Sequence, residues 1–195
     1  MKEFKLDKQT FMGGWYIDTK LCDKIIRIYK QIPTVLKGGG ETSKPDGSKH
    51  INKDIKDSSD ISIENNNFKY PLNKYHEQLQ ACLENYVKKY PDVNHLARFV
   101  LTPRYNIQHY KKGGGFKMWH CERSDIATCK RVLVFMTYLN DLPDGGTMFK
   151  NQDLTIPAKK GLTLIWPAEW THTHKGQISN TKEKYIVTGW YHLIV

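Results

Sequence analysis

His120, Glu122 and His174 are the residues of this chain best able to do chemistry together. Two imidazoles and one carboxylate, a close pair plus a distant third member, can hold a first-row metal on one face and leave its other positions open. The pair is spaced i, i+2, so in an extended segment both side chains point to the same side. His174 must then arrive from another strand. Fe(II) with two neutral imidazoles and one carboxylate keeps a net positive charge, which suits an anionic chelating cosubstrate. Lys184, ten positions after His174, offers an ammonium to the far end of such an acid. It opens an apolar run in which Lys184, Ile186, Thr188, Trp190 and His192 alternate onto one face. A single histidine is more often a satisfied core or surface residue, and His172 competes with His174 for the third position. A zinc hydrolase would use the same three ligands, but no general base accompanies them.

Strands must carry these residues, and the second half of the chain supplies them. From Ala97 onward, short β-branched and aromatic runs recur: ARFVLTPRYNIQHY, RVLVFMTYLN, LTIP, GLTLIWP and KYIVTGWYHLIV. Turn signals at Gly113–Gly115, Pro143–Gly146, Lys159–Gly161 and Ser179–Asn180 separate them. Many short strands at this spacing predict a two-sheet jelly roll. The helices come first. Asp18 or Thr19 caps a helix with Leu21, Ile25, Ile26 and Ile28 at helical spacing, after a leading strand. A second helix spans 72–90, with Leu72, Tyr75, Leu79, Cys82, Leu83, Tyr86 and Val87, and Pro91 ends it. Between them, residues 37–67 are rich in Gly, Ser, Lys, Asp and Asn and predict a mobile loop or lid. The fold class is therefore α+β, mainly β. One domain covers 1–195, with helical support over 1–96 and a jelly-roll core over 97–195.

Composition sets the remaining bounds. A chain of 195 residues, 39% hydrophobic and 26% charged, can bury a core without staples. No run reaches the ~18 apolar residues of a membrane span, and the N-terminal residues lack the apolar region of a secretion signal. Cys22, Cys82, Cys121 and Cys129 show no paired metal spacing and read as reduced thiols in a cytoplasmic protein. Cys121, between two ligands, is expected to pack away from the metal, with oxidation as its alternative role. The net charge of +10 admits a nucleic-acid partner. The lysines are scattered rather than clustered, so that partner is not favoured.

The segment 104–192 resembles the 2-oxoglutarate/Fe(II)-dependent oxygenase superfamily and, within it, the prolyl 4-hydroxylase-like branch. The blocks that carry the resemblance are RYNIQHYKKGGGFKMWHCE, RVLVFMTYLNDLPDGGTMF, IPAKKGLTLIWP and HTHKGQISNTKEKYIVTGW. It implies a double-stranded β-helix with Fe(II) held by His120, Glu122 and His174. Lys184 and Tyr110 would bind the distal carboxylate of 2-oxoglutarate, with Tyr105 as the alternative to Tyr110. Thr147 and Trp190 would contact the cosubstrate, Arg131 and His192 would line a peptide groove, and Asn140 would lie near the open iron positions or the following turn. The run from Tyr110 to His120 is one residue longer than the branch pattern, and Thr147 stands one place early, with Met148 in the expected position. Glu122 stands where the family usually has Asp, which changes how the carboxylate approaches the metal. The implied reaction consumes O2 and 2-oxoglutarate, releases succinate and CO2, and hydroxylates a prolyl residue of a peptide or protein, with ascorbate as an accessory reductant. The alternatives are a nucleobase or small-molecule hydroxylase and a non-catalytic jelly-roll binding module.

Overall fold

The computed structural model describes residues 1–43, 48–67 and 69–194. Two helices precede most of the strands: α1 (Thr19–Gln31) and α2 (Leu72–Lys89). The Asp18 side chain caps α1 by accepting from the Lys20 amide at 2.9 Å, as its position before the apolar periodicity predicts. The first strands are β1 (Lys2–Glu3), β2 (Gly13–Tyr16), β3 (Gly38–Gly39), β4 (Glu41–Ser43), β5 (Lys49–Ile51), β6 (Lys56–Asp57) and β7 (Ser59–Glu64). Then come β8 (Phe99–Leu101), β9 (Arg104–Tyr110), β10 (Gly115–Phe116), β11 (Arg131–Tyr138), β12 (Leu142–Phe149), β13 (Leu154–Ala158), β14 (Leu162–Pro167), β15 (His174–Gly176) and β16 (Lys184–Leu193).

The strands form a jelly roll of two facing sheets. The major sheet runs β1-β2-β14-β11-β16-β9-β7-β3, with β8 also paired to β16, and the minor sheet runs β13-β12-β15. Period-two alternation divides the core into two layers. Tyr105, Ile107, Leu133, Phe135, Ile165, Tyr185, Val187 and Tyr191 face outward and pack on the helices with Cys22, Ile25, Tyr29, Tyr75, Leu79 and Tyr86. Val134, Met136, Tyr138, Leu162, Leu164, Trp166 and Ile186 face inward, against Leu142, Phe149 and Ile156 of the minor sheet. Each fully buried aliphatic or Phe side chain contributes about 1.5–3 kcal/mol. Buried hydroxyls fix the helix layer: Tyr75 Oη lies 3.0 Å from Thr137 Oγ1, which lies 2.8 Å from Thr163 Oγ1.

Three expectations change. The segment 37–67 is not a structureless loop among its described residues. It carries five short strands, and β7 pairs in register with β9 from Ser59↔His109 to Glu64↔Arg104. Ile61 and Ile63 bury themselves in the helix-facing layer, a signal too short to stand out among polar neighbours. Residues 44–47 of that segment lie outside the described residues. The run from Ala97 to Tyr110 splits into β8 and β9 across Thr102–Pro103, because proline cannot donate to a ladder. Residues 1–96 do more than brace: β1, β2, β3 and β7 are members of the major sheet itself, so no structural boundary falls at residue 96.

Candidate active site

Strand pairing brings the three proposed ligands together. His174 begins β15 and is bridged to His120, with His120 N–H donating to His174 O at 3.0 Å and His174 N–H donating to His120 O at 2.8 Å. His120 and Glu122 do not share a continuous strand, as their spacing suggested. After the bridge the chain bends, and the amides of Glu122 and Arg123 both donate to Ala168 O, at 3.1 and 3.0 Å. That pinned bend, rather than strand alternation, turns Glu122 toward the histidines.

The donor set fits a metal ion. His120 Nδ1 lies 3.0 Å from Met118 O and His174 Nδ1 lies 2.8 Å from His172 O. A carbonyl only accepts, so both Nδ1 atoms carry hydrogen and both Nε2 lone pairs are free. Glu122 Oε1 stands 3.5 Å from His120 Nε2 and 3.6 Å from His174 Nε2. Those separations are too long for good hydrogen bonds, and bonds of about 2.0–2.2 Å to one first-row metal ion would span them. The ligating atoms lie within 4.8 Å of one another. Burial, followed by the adjacent His174, holds the His120 ring below its ordinary pKa, which favours the neutral ligand form. Burial opposes ionisation of Glu122, but the two histidine rings beside it outweigh that cost and hold its carboxyl well below the usual range. Phe116 stacks on His120 at 3.6 Å between centroids, and Phe149 and Trp166 flank His174.

The longer arm of Glu122 is fixed at its tip. Its Oε2 accepts from Trp190 Nε1 at 2.9 Å and from Arg131 Nη1 at 3.4 Å, and Arg131 Nη1 also donates to Glu122 O at 2.8 Å. The Arg131 guanidinium in turn lies 3.7 Å from the Trp190 ring centroid. Oε1 is thereby left alone to face the histidines. Arg131 and Trp190, expected in the groove and beside the cosubstrate, do line the cavity, but their polar groups are committed to the metal carboxylate. We expect Trp190→Phe, which keeps the ring under Arg131 and removes the donor, to weaken Mn(II) binding by about 10–100-fold. Calorimetric titration would show this, and an unchanged affinity would mean that Trp190 does not orient Glu122.

A cavity of about 750 Å3 extends from the ligands between the sheets. Lys184, Ile186, Thr188 and Trp190 line it, as their alternation predicts, whereas His192 does not. The register shift between the Arg131↔His192 and Leu133↔Tyr191 pairs puts the extra residue, Val132, on β11, while β16 pairs regularly with β8 through His192. His192 lies beside Arg131, with Nε2 buried and without a hydrogen-bond partner among the described residues.

Lys184 is buried and donates to Gly145 O and Gln177 O, each at 3.2 Å, with its ammonium 5.1 Å from the Tyr110 ring centroid. Burial lowers its pKa from an ordinary 10.5 to about 8, opposed by the Asp144 carboxylate, and no carboxylate among the described residues forms an ion pair with it. Gly176 makes room for it: a Cβ there would stand 3.2 Å from Lys184 Nζ. Thr147 Oγ1 is 2.6 Å from Tyr138 Oη in the same wall. Tyr110 also lines the cavity, but its hydroxyl donates to Gln108 Oε1 at 2.7 Å. Gln108 is oriented by Asp60 at 3.0 Å, and Asp60 is paired with buried Lys56 at 2.8 Å.

Tyr138, Gln108, Asp60, Lys56 and Phe116 escaped the sequence reading. Only Tyr138, a tyrosine on the inward-facing parity of an apolar strand, carried a usable signal. The competing candidates are placed elsewhere. His172 is buried with Nε2 on Thr10 O at 2.9 Å and Nδ1 on Thr171 Oγ1 at 3.0 Å. Tyr105 lies in the helix-facing layer, its hydroxyl 2.9 Å from His76 Nε2. Asn140 clips a turn through Glu183 O and the Tyr185 amide. Cys121, expected to pack away from the metal, borders the cavity instead, with its Sγ donating to Arg123 O at 3.5 Å where the chain bends after His120.

Residues 105–192 match the sequence model of the 2OG-Fe(II) oxygenase superfamily. No curated protein matches the chain. Among solved structures, a Pseudomonas putida prolyl-4-hydroxylase is 13% identical, with a TM-score of 0.71 over 95% of this chain and 94% of that one. A viral collagen prolyl hydroxylase from Paramecium Bursaria Chlorella virus-1, in complex with 2-oxoglutarate, is 15% identical, with a TM-score of 0.67 over 94% and 97%. A Trichoplax adhaerens prolyl hydroxylase, bound to a hypoxia inducible factor peptide fragment, is 14% identical, with a TM-score of 0.69 over 94% and 84%. These likenesses show a shared fold. Residues 105–192 are a domain of the 2-oxoglutarate/Fe(II)-dependent oxygenase superfamily, a dioxygenase core within a chain of prolyl 4-hydroxylase-like architecture.

Proposed function

We propose that this enzyme hydroxylates a prolyl residue within a peptide or protein. The observation that carries the reading is the charge state of the cavity wall. Lys49 is paired with Glu41, Lys56 with Asp60, Arg104 with Glu64 and Arg131 with Glu122. Lys184 is thus the one lysine or arginine in the wall, among the described residues, without an acidic partner, and it lies deep. A nucleic acid needs a row of free cations for its phosphates, and the wall itself offers only deep Lys184, with Lys175 over the Trp119 ring at its border. A peptide needs none. Exposed Met118 and Trp119, at 50% and 36% exposure, border the same cavity and offer apolar surface to a chain. The prolyl hydroxylase likeness in fold supports the same substrate class. No helix is long and apolar enough to cross a membrane, and the four free cysteines support a reducing, cytoplasmic compartment.

Bound Fe(II) supplies the chemistry, coupling O2 activation and oxidative decarboxylation of 2-oxoglutarate to oxygen insertion into a C–H bond. The protein's part is positional. His120, Glu122 and His174 hold one face of the metal. Trp190 and Arg131 keep the Glu122 carboxylate turned to it. Lys184 receives the distal carboxylate of the cosubstrate, while the apolar side chains of Ile186, Met136 and Trp166 keep the wall beside it dry. Anaerobically purified protein, incubated aerobically with Fe(II), 2-oxoglutarate, ascorbate and blocked peptides of central proline, should add the mass of one oxygen to proline. Oxygen added to single-stranded oligonucleotides instead, with binding that falls steeply with salt, would overturn the reading.

A further inference from the structure

The inward face of the major sheet carries one polar row that the cosubstrate site leaves unused. Ser62 on β7, Asn106 on β9 and Thr188 on β16 are direct cross-strand neighbours, Ser62↔Asn106 and Asn106↔Thr188. All three line the cavity. The row climbs from half-buried Thr188 and Asn106 to exposed Ser62, so it leads from the interior to the mouth. Thr188 is one i, i+2 step from Trp190, about 7 Å along the strand, and Trp190 holds the metal carboxylate.

The next row inward shows what is missing here. Asp60 and Gln108 sit beside one another in register, and Lys56 and Tyr110 complete their hydrogen bonds. In the outer row, Thr188 Oγ1 donates to Phe135 O at 3.1 Å. Among the described residues, the Asn106 amide and the Ser62 hydroxyl have no side-chain hydrogen-bond partner. The half-buried amide therefore stands in the cavity wall with both its acceptor and its donors open to a ligand. A carboxamide offers one acceptor and two donors in a plane, which another amide matches with both its C=O and its N–H. The next pair along the same two strands, Glu64 and Arg104, neutralise each other at 2.5 Å, so the row favours a neutral group over an ion.

We propose that Asn106, flanked by Ser62 and Thr188, is the subsite that binds a backbone amide of the peptide substrate and so sets which residue reaches the metal. This rests on the peptide reading above. The test compares the wild type with Asn106→Leu and Asn106→Asp, using blocked central-proline peptides and the same peptides N-methylated at one non-prolyl amide at a time. Peptide binding is read anaerobically by fluorescence polarisation with Mn(II) and 2-oxoglutarate, and turnover by mass. Asn106→Leu should weaken peptide binding on the order of tenfold and leave the KM for 2-oxoglutarate unchanged. N-methylation at one position should weaken wild-type binding and have no further effect on the variant. Equal peptide affinity in wild type and variants, or the same N-methyl sensitivity in both, would overturn the subsite while the peptide reading stood. A wild type that binds and oxidises no peptide would overturn both. Calorimetric binding of Mn(II) and 2-oxoglutarate by each variant separates these outcomes from misfolding.

Discussion

Replacing His174 by alanine is expected to abolish turnover, together with the visible charge-transfer band that forms when Fe(II) and 2-oxoglutarate are added to the wild type without oxygen. The ring is buried between Phe149 and Trp166 and bridged through its backbone to His120. Its Nδ1 is committed to His172 O, so Nε2 is its only route to the metal. Two remaining ligands cannot define a face with three open positions. Because alanine also leaves a void in an apolar wall, His174→Gln is the companion variant. It retains volume while its amide binds metal poorly. A band of wild-type intensity in either folded variant would remove His174 from the ligand set. Glu122→Asp sharpens the result. The tip of Glu122 is anchored by Trp190 and Arg131, so a shorter arm cannot keep both that anchor and its reach to the histidines. The aspartate more usual in the family should therefore weaken the metal here, and a gain in affinity would show that the anchors are incidental.

Lys184→Met is expected to weaken 2-oxoglutarate binding by about 10- to 150-fold, the equivalent of a lost charge-assisted hydrogen bond of about 1.5–3 kcal/mol, with no loss of stability. The sign follows from burial. The charged form of Lys184 is disfavoured in the fold, so its pKa falls from 10.5 to about 8. A group depressed in this way adds stability above its unfolded pKa and loses it as pH falls through its folded one. At neutral pH the fold therefore carries the full cost of the buried ammonium, on the order of 3 kcal/mol. Methionine fills the same channel without that charge, so its melting temperature should equal or exceed the wild type's. Cosubstrate binding should show the complementary pH dependence. Affinity of the wild type for the dianion should hold below pH 8 and decline above it, as the ammonium deprotonates, whereas Lys184→Met should show no decline in that range. Calorimetry with Mn(II) in place of Fe(II) measures both, and a parallel decline in the variant would assign the titration to another group.

The sequence by itself determined the elements and the chemistry of the donors. Helical spacing after Asp18, alternation from Arg131 to Tyr138 and from Lys184 to Trp190, and glycine-rich turns specified helices and inward-facing strands, because burial enforces those periods locally. It also determined that two histidines and a carboxylate were present, with a lysine on the matching face. Tertiary structure decided what those groups touch. The turn of Glu122 toward the histidines depends on two amides meeting Ala168 O, a contact 46 residues away in sequence from Glu122 and invisible to a local pattern. The commitment of Trp190 and Arg131 to Glu122 depends on β11 and β16 lying side by side. That the cavity wall along β16 includes Trp190 and not His192 is likewise decided by the tertiary structure. The largest gap was in 37–67, where strands of two to six residues are too short to show a period. β7 and β6 form because β9 and β10 offer them partners, β3 pairs in turn with β7, and β4 and β5 pair with each other; through Lys56, Asp60 and Ser62 the segment builds the wall that a substrate must pass.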